Sequence, residues 1–157
     1  MIKIQSFSVL ASSSLKVSRI SSNFLKTFST QLLLKKDAAL VKTVDLSYTT
    51  YETQKSNRKN LTPLIILHGM MCARKNWSTF CETISQNSGR KVVSIDARNH
   101  GDSPRSEDMT YDHLVEDVLV VLKKLNITET AILGHSMGGR TAMVLALQKL
   151  SKTFCMF

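Results

Sequence analysis

The sequence predicts an α/β protein built on a doubly wound, mostly parallel sheet. Short apolar runs alternate with segments in which apolar residues recur at helical spacing, in the order β, β, α, β, α, β, α. Three of these runs are apolar or nearly so, as expected for strands that helices cover on both faces. With 157 residues, 43% hydrophobic and 21% charged, the composition is that of one globular domain.

Four segments are predicted as strands. Residues 41–51 are β-branched and aromatic with partial alternation, and the polar residues 52–60 end that strand. The later strands, at 64–67, 92–95 and 131–133, are short apolar runs. We expect these three to lie inside the sheet.

Three helices are predicted between and after these strands. Residues 77–84 carry apolar side chains at helical spacing, and Gly89 follows as a typical helix terminator. Residues 110–125 place seven apolar side chains on one stripe, the clearest helical pattern in the chain. Residues 137–149 are predicted as an apolar helix that follows a glycine-rich turn.

The first 36 residues differ in composition from the rest of the chain. They hold six basic residues, nine serines and no acidic residue, with apolar residues near helical spacing between 15 and 28. This is typical of a mitochondrial transit peptide, whereas a secretory signal would need a continuous apolar block of about 7 to 15 residues. We predict a leader at 1–36, disordered or an amphipathic helix, and a mitochondrial, matrix location. A disordered basic tail is the alternative.

Charge and cysteine usage exclude several classes of protein. The net charge is +9, but only +3 remains after residue 36 and no RNA-binding motif follows, so no nucleic-acid partner is predicted. The longest apolar run has six residues, far below the roughly 20 of a transmembrane helix. Cys72, Cys81 and Cys155 form no C-x-x-C pair, which argues against a disulfide framework or a zinc site.

The motif G-H-S-M-G at 134–138 lies where a predicted strand meets a predicted helix. Glycines at 134 and 138 permit a turn so tight that a Cβ at either position would strike the neighbouring strand or helix. We expect Ser136 to be held in a strained backbone conformation, with its hydroxyl above the sheet and close to the amino terminus of the helix. Ser136 is therefore the candidate nucleophile, and an ordinary strand-to-helix turn is the alternative.

Two other predicted strands end in loops of similar character. His68 and Gly69 lead to Met70, whose backbone N–H is expected to pair with that of Met137 as two oxyanion donors. The loop at 96–103 reads D-A-R-N-H-G-D-S, polar and glycine-bearing.

Together, H-G, D-A-R-N-H-G-D-S and G-H-S-M-G-G resemble the α/β-hydrolase superfamily, and more narrowly its mitochondrial abhydrolase domain-containing eleven type, the sn-1-specific diacylglycerol lipases. The likeness covers about residues 64–148. It implies the amino-terminal half of a doubly wound α/β-hydrolase sheet and a serine esterase or lipase that hydrolyses acyl esters such as diacylglycerol. It implies no cofactor, no metal, and the 2-oxoglutarate dehydrogenase complex as a candidate partner.

The resemblance assigns roles to individual residues. Ser136 would be the nucleophile, and the amides of Met70 and Met137 would hold the oxyanion. Support of the elbow and loops is implied for His68, Gly69, Gly134, Gly138, Gly139, Asp96 and Arg98. We expect Asp96 and Arg98 to pair with each other, and Asp96 to lie two strands, about 10 Å, from the serine strand, too far for a triad acid.

The four histidines are expected to have structural roles. In relatives, His68 and His100 shape loops; His113 would face solvent on a helix, and His135 would point away from Ser136 at the elbow.

Two features depart from the family pattern. Cys72 stands where relatives have glycine three residues after H-G. The family order is serine, acid, histidine, yet the 21 residues after Ser136 contain no Asp, Glu or His. We therefore expect a shortened hydrolase domain at 40–149 with a divergent tail at 150–157, and the serine strand as an unpaired edge. A non-catalytic isoform that acts through partner binding and a different hydrolase chemistry on the same scaffold are the alternatives.

Overall fold

A five-stranded, mostly parallel sheet forms the centre of the molecule. The computed structural model describes residues 3–10, 41–53 and 61–153. The strands are β1 (Lys3–Leu10), β2 (Tyr48–Tyr51), β3 (Leu64–Leu67), β4 (Val92–Ile95) and β5 (Glu129–His135). Their order is β1-β5-β3-β4-β2, and only the β2–β4 pair is antiparallel. The predicted α/β class with a mostly parallel sheet is confirmed.

The helices follow the strands in the predicted order. A 3₁₀ helix (Arg74–Trp77) leads into α1 (Ser78–Ser88), and α2 (Tyr111–Lys124) and α3 (Met137–Thr153) come later. Gly89, at φ 70°, ends α1 in the left-handed conformation that glycine adopts readily. The side chain of Thr110 caps α2 by accepting a hydrogen bond from the N–H of His113. None of the helices within the described residues has the length and apolar character needed to cross a membrane.

Alternate residues of β3 pack on opposite faces of the sheet. Ile65 and Leu67 join the larger core, which also holds the apolar side chains of α2 and α3. Ile66 faces the other way and packs with Cys81 of α1. Because side chains alternate along a strand and both faces are covered, most positions of such a strand are apolar; Ser94 of β4 is a buried exception. This explains why the short runs at 64–67 and 92–95 could be predicted with their observed bounds.

The structure differs from the sequence expectation at residues 3–10. Their backbone is not a disordered or helical leader but β1, which runs parallel to β5 with Lys3 opposite Glu129 and Leu10 opposite His135. The serine strand is therefore not an unpaired edge. The free N–H and C=O groups at a sheet edge can pair with any extended segment of the chain. The composition of residues 3–10 does not reveal that they form this pairing. Residues 11–36 lie outside the described residues, so the transit peptide stays a prediction.

Candidate active site

Ser136 occupies a sharp turn between β5 and α3. Its φ is 51°, in the left-handed region, which a residue other than glycine adopts at a cost on the order of 1–3 kcal/mol. The residue is exposed at the carboxyl end of the sheet, while Met137, directly after it, is buried. The turn thus presents the serine to solvent at the start of a helix, as the motif predicts.

Two glycines make this turn possible. A Cβ at Gly134 would overlap the carbonyl of Gly138 and lie 2.6 Å from the amide nitrogen of Gly139. A Cβ at Gly138 would overlap the carbonyl of Leu67 and lie 2.7 Å from the carbonyl oxygen of His68. The N–H of Gly138 donates to that His68 oxygen over 3.1 Å. The elbow therefore packs against the end of β3 without room for a side chain.

The loop after β3 lies directly beside the elbow. A Cβ built at Gly69 would be 2.6 Å from Nδ1 of His135 and 3.4 Å from Cβ of Ser136. The N–H of Cys72 donates to the carbonyl of Gly69 over 3.2 Å, and Met71 has a φ of 62°. Cys72 thus closes a tight turn.

The two expected oxyanion donors come from these adjoining loops. Within the described residues, no hydrogen bond uses the amide N–H of Met70 or of Met137. Met137 is the first residue of α3, where N–H groups have no acceptor within the helix. Both groups are therefore free to bind an oxygen atom of a ligand. Their role as oxyanion donors stays a prediction.

His68 links the end of β3 to the loop after β4. Its side chain is buried, Nδ1–H donates to the carbonyl of Gly69 over 2.8 Å, and Nε2 accepts from the N–H of Ala97 over 3.0 Å. The acceptor role of Nε2 assigns the proton to Nδ1. Burial lowers the pKa of His68, which keeps the ring neutral at pH 7. With both nitrogens engaged, His68 holds two loops together and is not a base.

The contacts of His100 and His113 fit the structural roles expected from sequence. The ring of His100 lies 5.2 Å from that of His68, and its Nδ1 is 2.8 Å from the carbonyl of Arg98. His113 contacts Thr110 at the start of α2. His135 has a buried Nδ1 with no hydrogen-bond partner in the described part of the chain.

Asp96 pairs with a residue that the sequence reasoning missed. Its fully buried carboxylate accepts hydrogen bonds from the backbone N–H of Arg74, over 2.6 Å, and from the guanidinium of the same residue. It also accepts from the N–H of Asp102 over 3.0 Å. A Cβ at Gly101 would overlap this carboxylate. Asp96 thus organises its loop and also braces the loop that carries Met70.

Arg98 pairs with Asp117 of α2, so the predicted Asp96–Arg98 pair is wrong. Its Nε and Nη2 donate to the two oxygens of Asp117 over 2.6 and 2.8 Å, and neither side chain is exposed. The remaining donors of Arg98 reach the carbonyls of Asp108 and Lys42. Both observed partners lie about 20 residues away in sequence, and the fold alone brings them close.

Comparison with known proteins shows the family to which this chain belongs. A family model described as the alpha/beta hydrolase fold matches residues 62–154. The chain belongs to the α/β hydrolase fold family. It is 41% identical over 114 residues to the sn-1-specific diacylglycerol lipase ABHD11 of Xenopus tropicalis, an alignment that covers 73% of this chain and 34% of that protein. The chain thus spans about a third of the length of this curated relative.

Similarity to other proteins supports the same family assignment. The chain is 36% identical over 104 residues to a putative esterase/lipase of Haemophilus influenzae, covering 66% of this chain and 36% of that one. Among solved structures, a marine microorganism esterase aligns with a TM-score of 0.60 and 34% identity over 69% of this chain and 39% of its own. These relatives are thus named as esterases or lipases.

Three residues that contact this candidate site are not predicted by the sequence. Asp117 could have been found, because it interrupts the apolar stripe of α2, and a carboxylate on a buried face needs a cationic partner. Arg74 had no such signal, because the short 3₁₀ helix that holds it has no apolar periodicity and Lys75 beside it is an equally basic candidate. The sequence predicts Trp77 only as the first residue of a helix, whereas in the structure its ring centroid lies 6.1 Å from that of His135.

Proposed function

We propose that this chain carries the nucleophile and the oxyanion-binding loops of a serine hydrolase that cleaves acyl esters of the diacylglycerol type. The observation that supports this most directly is Ser136, exposed at φ 51° in a turn that two glycines make possible. Such strain in an exposed nucleophile at a strand-to-helix turn is typical of a functional site.

The geometry supports the first step of ester cleavage. Oγ of Ser136 would attack the ester carbonyl, whose oxygen takes up negative charge in the tetrahedral intermediate. The free N–H groups of Met70 and Met137, together with the amino terminus of α3, would stabilise that charge. A donor of this kind contributes about 2.7–4 kcal/mol where it has been measured.

The proton of Ser136 needs an acceptor that the known order of the family places after the serine. The 21 residues after Ser136 contain neither a histidine nor an acid, and the contacts of His68 exclude it as the base. We therefore propose turnover for a polypeptide or assembly that supplies a histidine and an acid. Loss of the triad costs about a million-fold in turnover in subtilisin, and the oxyanion hole together with substrate binding retains roughly a thousand-fold acceleration.

The substrate class and location follow from the relatives and the leader-like segment. The similarity to the sn-1-specific diacylglycerol lipase of Xenopus tropicalis supports diacylglycerol, an acyl ester, as the substrate. The basic, acid-free and serine-rich composition of residues 11–36, which lie outside the described residues, supports a mitochondrial location in the matrix. Neither the comparisons nor the described surfaces support the 2-oxoglutarate dehydrogenase complex as a partner.

A fluorophosphonate probe tests the proposal, because the strained turn and the oxyanion donors should make Ser136 react faster than an ordinary serine hydroxyl even without the base. We expect slow labelling of the 157-residue chain, with the modified peptide containing Ser136, and at least ten-fold less in Ser136→Ala. The control is Ser88→Ala on α1, which should label like the original chain. Absence of labelling at Ser136 would contradict an activated serine and favour the non-catalytic alternative.

A further inference from the structure

Arg74 joins the turn that carries Met70 to three other segments of the protein. Its backbone N–H and one guanidinium nitrogen donate to the buried carboxylate of Asp96, directly after β4. Its Nε donates to Oγ1 of Thr49 in β2 over 3.0 Å, and Nη2 donates to Asp102 over 2.8 Å. A single side chain, itself 13% exposed, therefore fixes the end of this turn relative to the sheet.

The segment from Gly69 to Ala73, which we call the oxyanion turn, is anchored at its two ends. Before it, the buried ring of His68 has hydrogen bonds on both nitrogens. After it comes Arg74. Within the described residues, the N–H groups of the turn that form hydrogen bonds reach only Gly69 and Asn76. The position of the turn over the sheet therefore depends on the two anchors.

Lys75 is the neighbour of Arg74 and carries the same charge, but its contacts differ. Its side chain is 75% exposed, and within the described residues its ammonium pairs with Asp102 alone, over 3.3 Å. A guanidinium presents five donors in a fixed plane, so Arg74 can bind two carboxylates and a hydroxyl at once. The two neighbours therefore separate the effect of positive charge in this region from the effect of the forked contacts.

We propose that Arg74 is a positioning residue that sets the location of the Met70 N–H as an oxyanion donor. This inference rests on the proposed function, since the donor acts only when the reaction of Ser136 places charge on an oxygen. A donor contributes only where it points at that oxygen, and a misplacement of about 1 Å can cost about a hundred-fold in rate. Met137, the second expected donor, begins α3 and should keep its position without Arg74.

The rate of fluorophosphonate labelling at Ser136 tests whether this positioning affects the reaction. Arg74→Gln should lower the maximal labelling rate about ten-fold and leave the half-saturating probe concentration unchanged, because an oxyanion donor acts in the transition state. Arg74→Lys keeps a charge beside Asp96, which protects the fold, and should lower the rate about three-fold. Urea denaturation shows whether each variant is folded before labelling. If Arg74→Gln does not fold, Arg74→Lys decides the result.

The matched control is Lys75→Gln. It removes the same charge as Arg74→Gln from the neighbouring residue, together with a contact to Asp102, but it leaves the contacts to Asp96 and Thr49 in place. It should therefore be labelled at the rate of the original chain.

The amide signals of the two donors give a second measurement that requires no labelling. Both donors are methionines, so isotope labelling of methionine nitrogen alone reports both of them in one amide NMR spectrum, in which Met70→Leu and Met137→Leu assign the signals. In the Arg74 variants, we expect the Met70 signal to move and the Met137 signal to stay. Lys75→Gln should leave both signals in place.

The two measurements distinguish the positioning role from the proposed function. If Ser136 of the original chain is not labelled, the proposed function fails, and the Met70 signal alone decides whether Arg74 positions the turn. If Ser136 is labelled, the positioning role is overturned by Arg74 variants that keep either the original rate or the original Met70 signal. Equal changes in Lys75→Gln would overturn it as well, because charge alone would then explain them.

Discussion

The elbow at 134–138 and the loop at 96–103 lie at the same end of the sheet but are held in different ways. In the elbow, the absence of side chains at Gly134 and Gly138 determines the path of the backbone. In the other loop, buried charges determine it, and their partners come from the 3₁₀ helix and from α2. One region depends on local steric fit, and the other depends on electrostatic contacts between distant segments.

This difference determines what each region tolerates. The elbow cannot accept an added Cβ, because the atoms in the way belong to the backbone and cannot rotate aside. The loop can accept changes of shape but not the loss of one charge of a pair, because a buried charge without a partner is very unfavourable. Substitutions in the two regions should therefore lower the free energy of unfolding for different physical reasons and by different amounts.

The largest effect is expected for Asp117→Asn. It leaves the guanidinium of Arg98, which is not exposed at all, without its counter-charge. Breaking a buried pair in this way typically lowers the free energy of unfolding by about 3–5 kcal/mol, which urea denaturation would measure. Glu116→Gln, the neighbouring position on α2, is the matched control and should change stability by about 0.5 kcal/mol or less. A comparable loss in both variants would show that general helix charge matters more than the buried pair.

A smaller loss of stability is expected for Gly138→Ala. The added methyl group would overlap the carbonyl of Leu67, and overpacking of this kind costs about 1–3 kcal/mol. Because the elbow must open to relieve the overlap, labelling of Ser136 should also fall at least ten-fold. Arg140→Ala, exposed in the same turn of α3, should leave both quantities close to those of the original chain. If the alanine variant kept full stability, the steric account of the elbow would be wrong.

The same contrast explains how much could be predicted from the sequence. The elbow was predictable because its cause, two glycines around a serine at a strand-to-helix junction, lies within five residues. The stripe of α2 and the bounds of β3 were predictable for a similar reason, since periodicity records burial. The partner of Asp96 was not, because spacing in sequence does not indicate which of several arginines the fold will bring to a carboxylate.

His68 joins the two regions and provides the most subtle test of the comparison. Its carbonyl accepts from Gly138 in the elbow, and its ring accepts from Ala97 in the other loop. Protonation of Nε2 would remove this second contact. Since burial lowers the pKa of His68 in the folded state, the unfolded chain binds the proton first as the pH falls. The folded state should therefore lose stability as the pH drops below about 6.5, the ordinary pKa of histidine, and continue to lose it down to the lower pKa of the folded state.

Urea denaturation between about pH 5 and 7.5 measures this effect. His68→Gln should be less stable than the original chain at pH 7.5, and its stability should depend less on pH, because the group that titrates is gone. His113→Gln, which removes a histidine from α2, is the control and should retain the slope of the original chain. If the free energy of unfolding of His68→Gln changed with pH as steeply as that of the original chain, the ring of His68 would not be held neutral between the loops. The elbow and the charged loop would then be joined through the backbone alone, by the hydrogen bond from Gly138 to the carbonyl of residue 68.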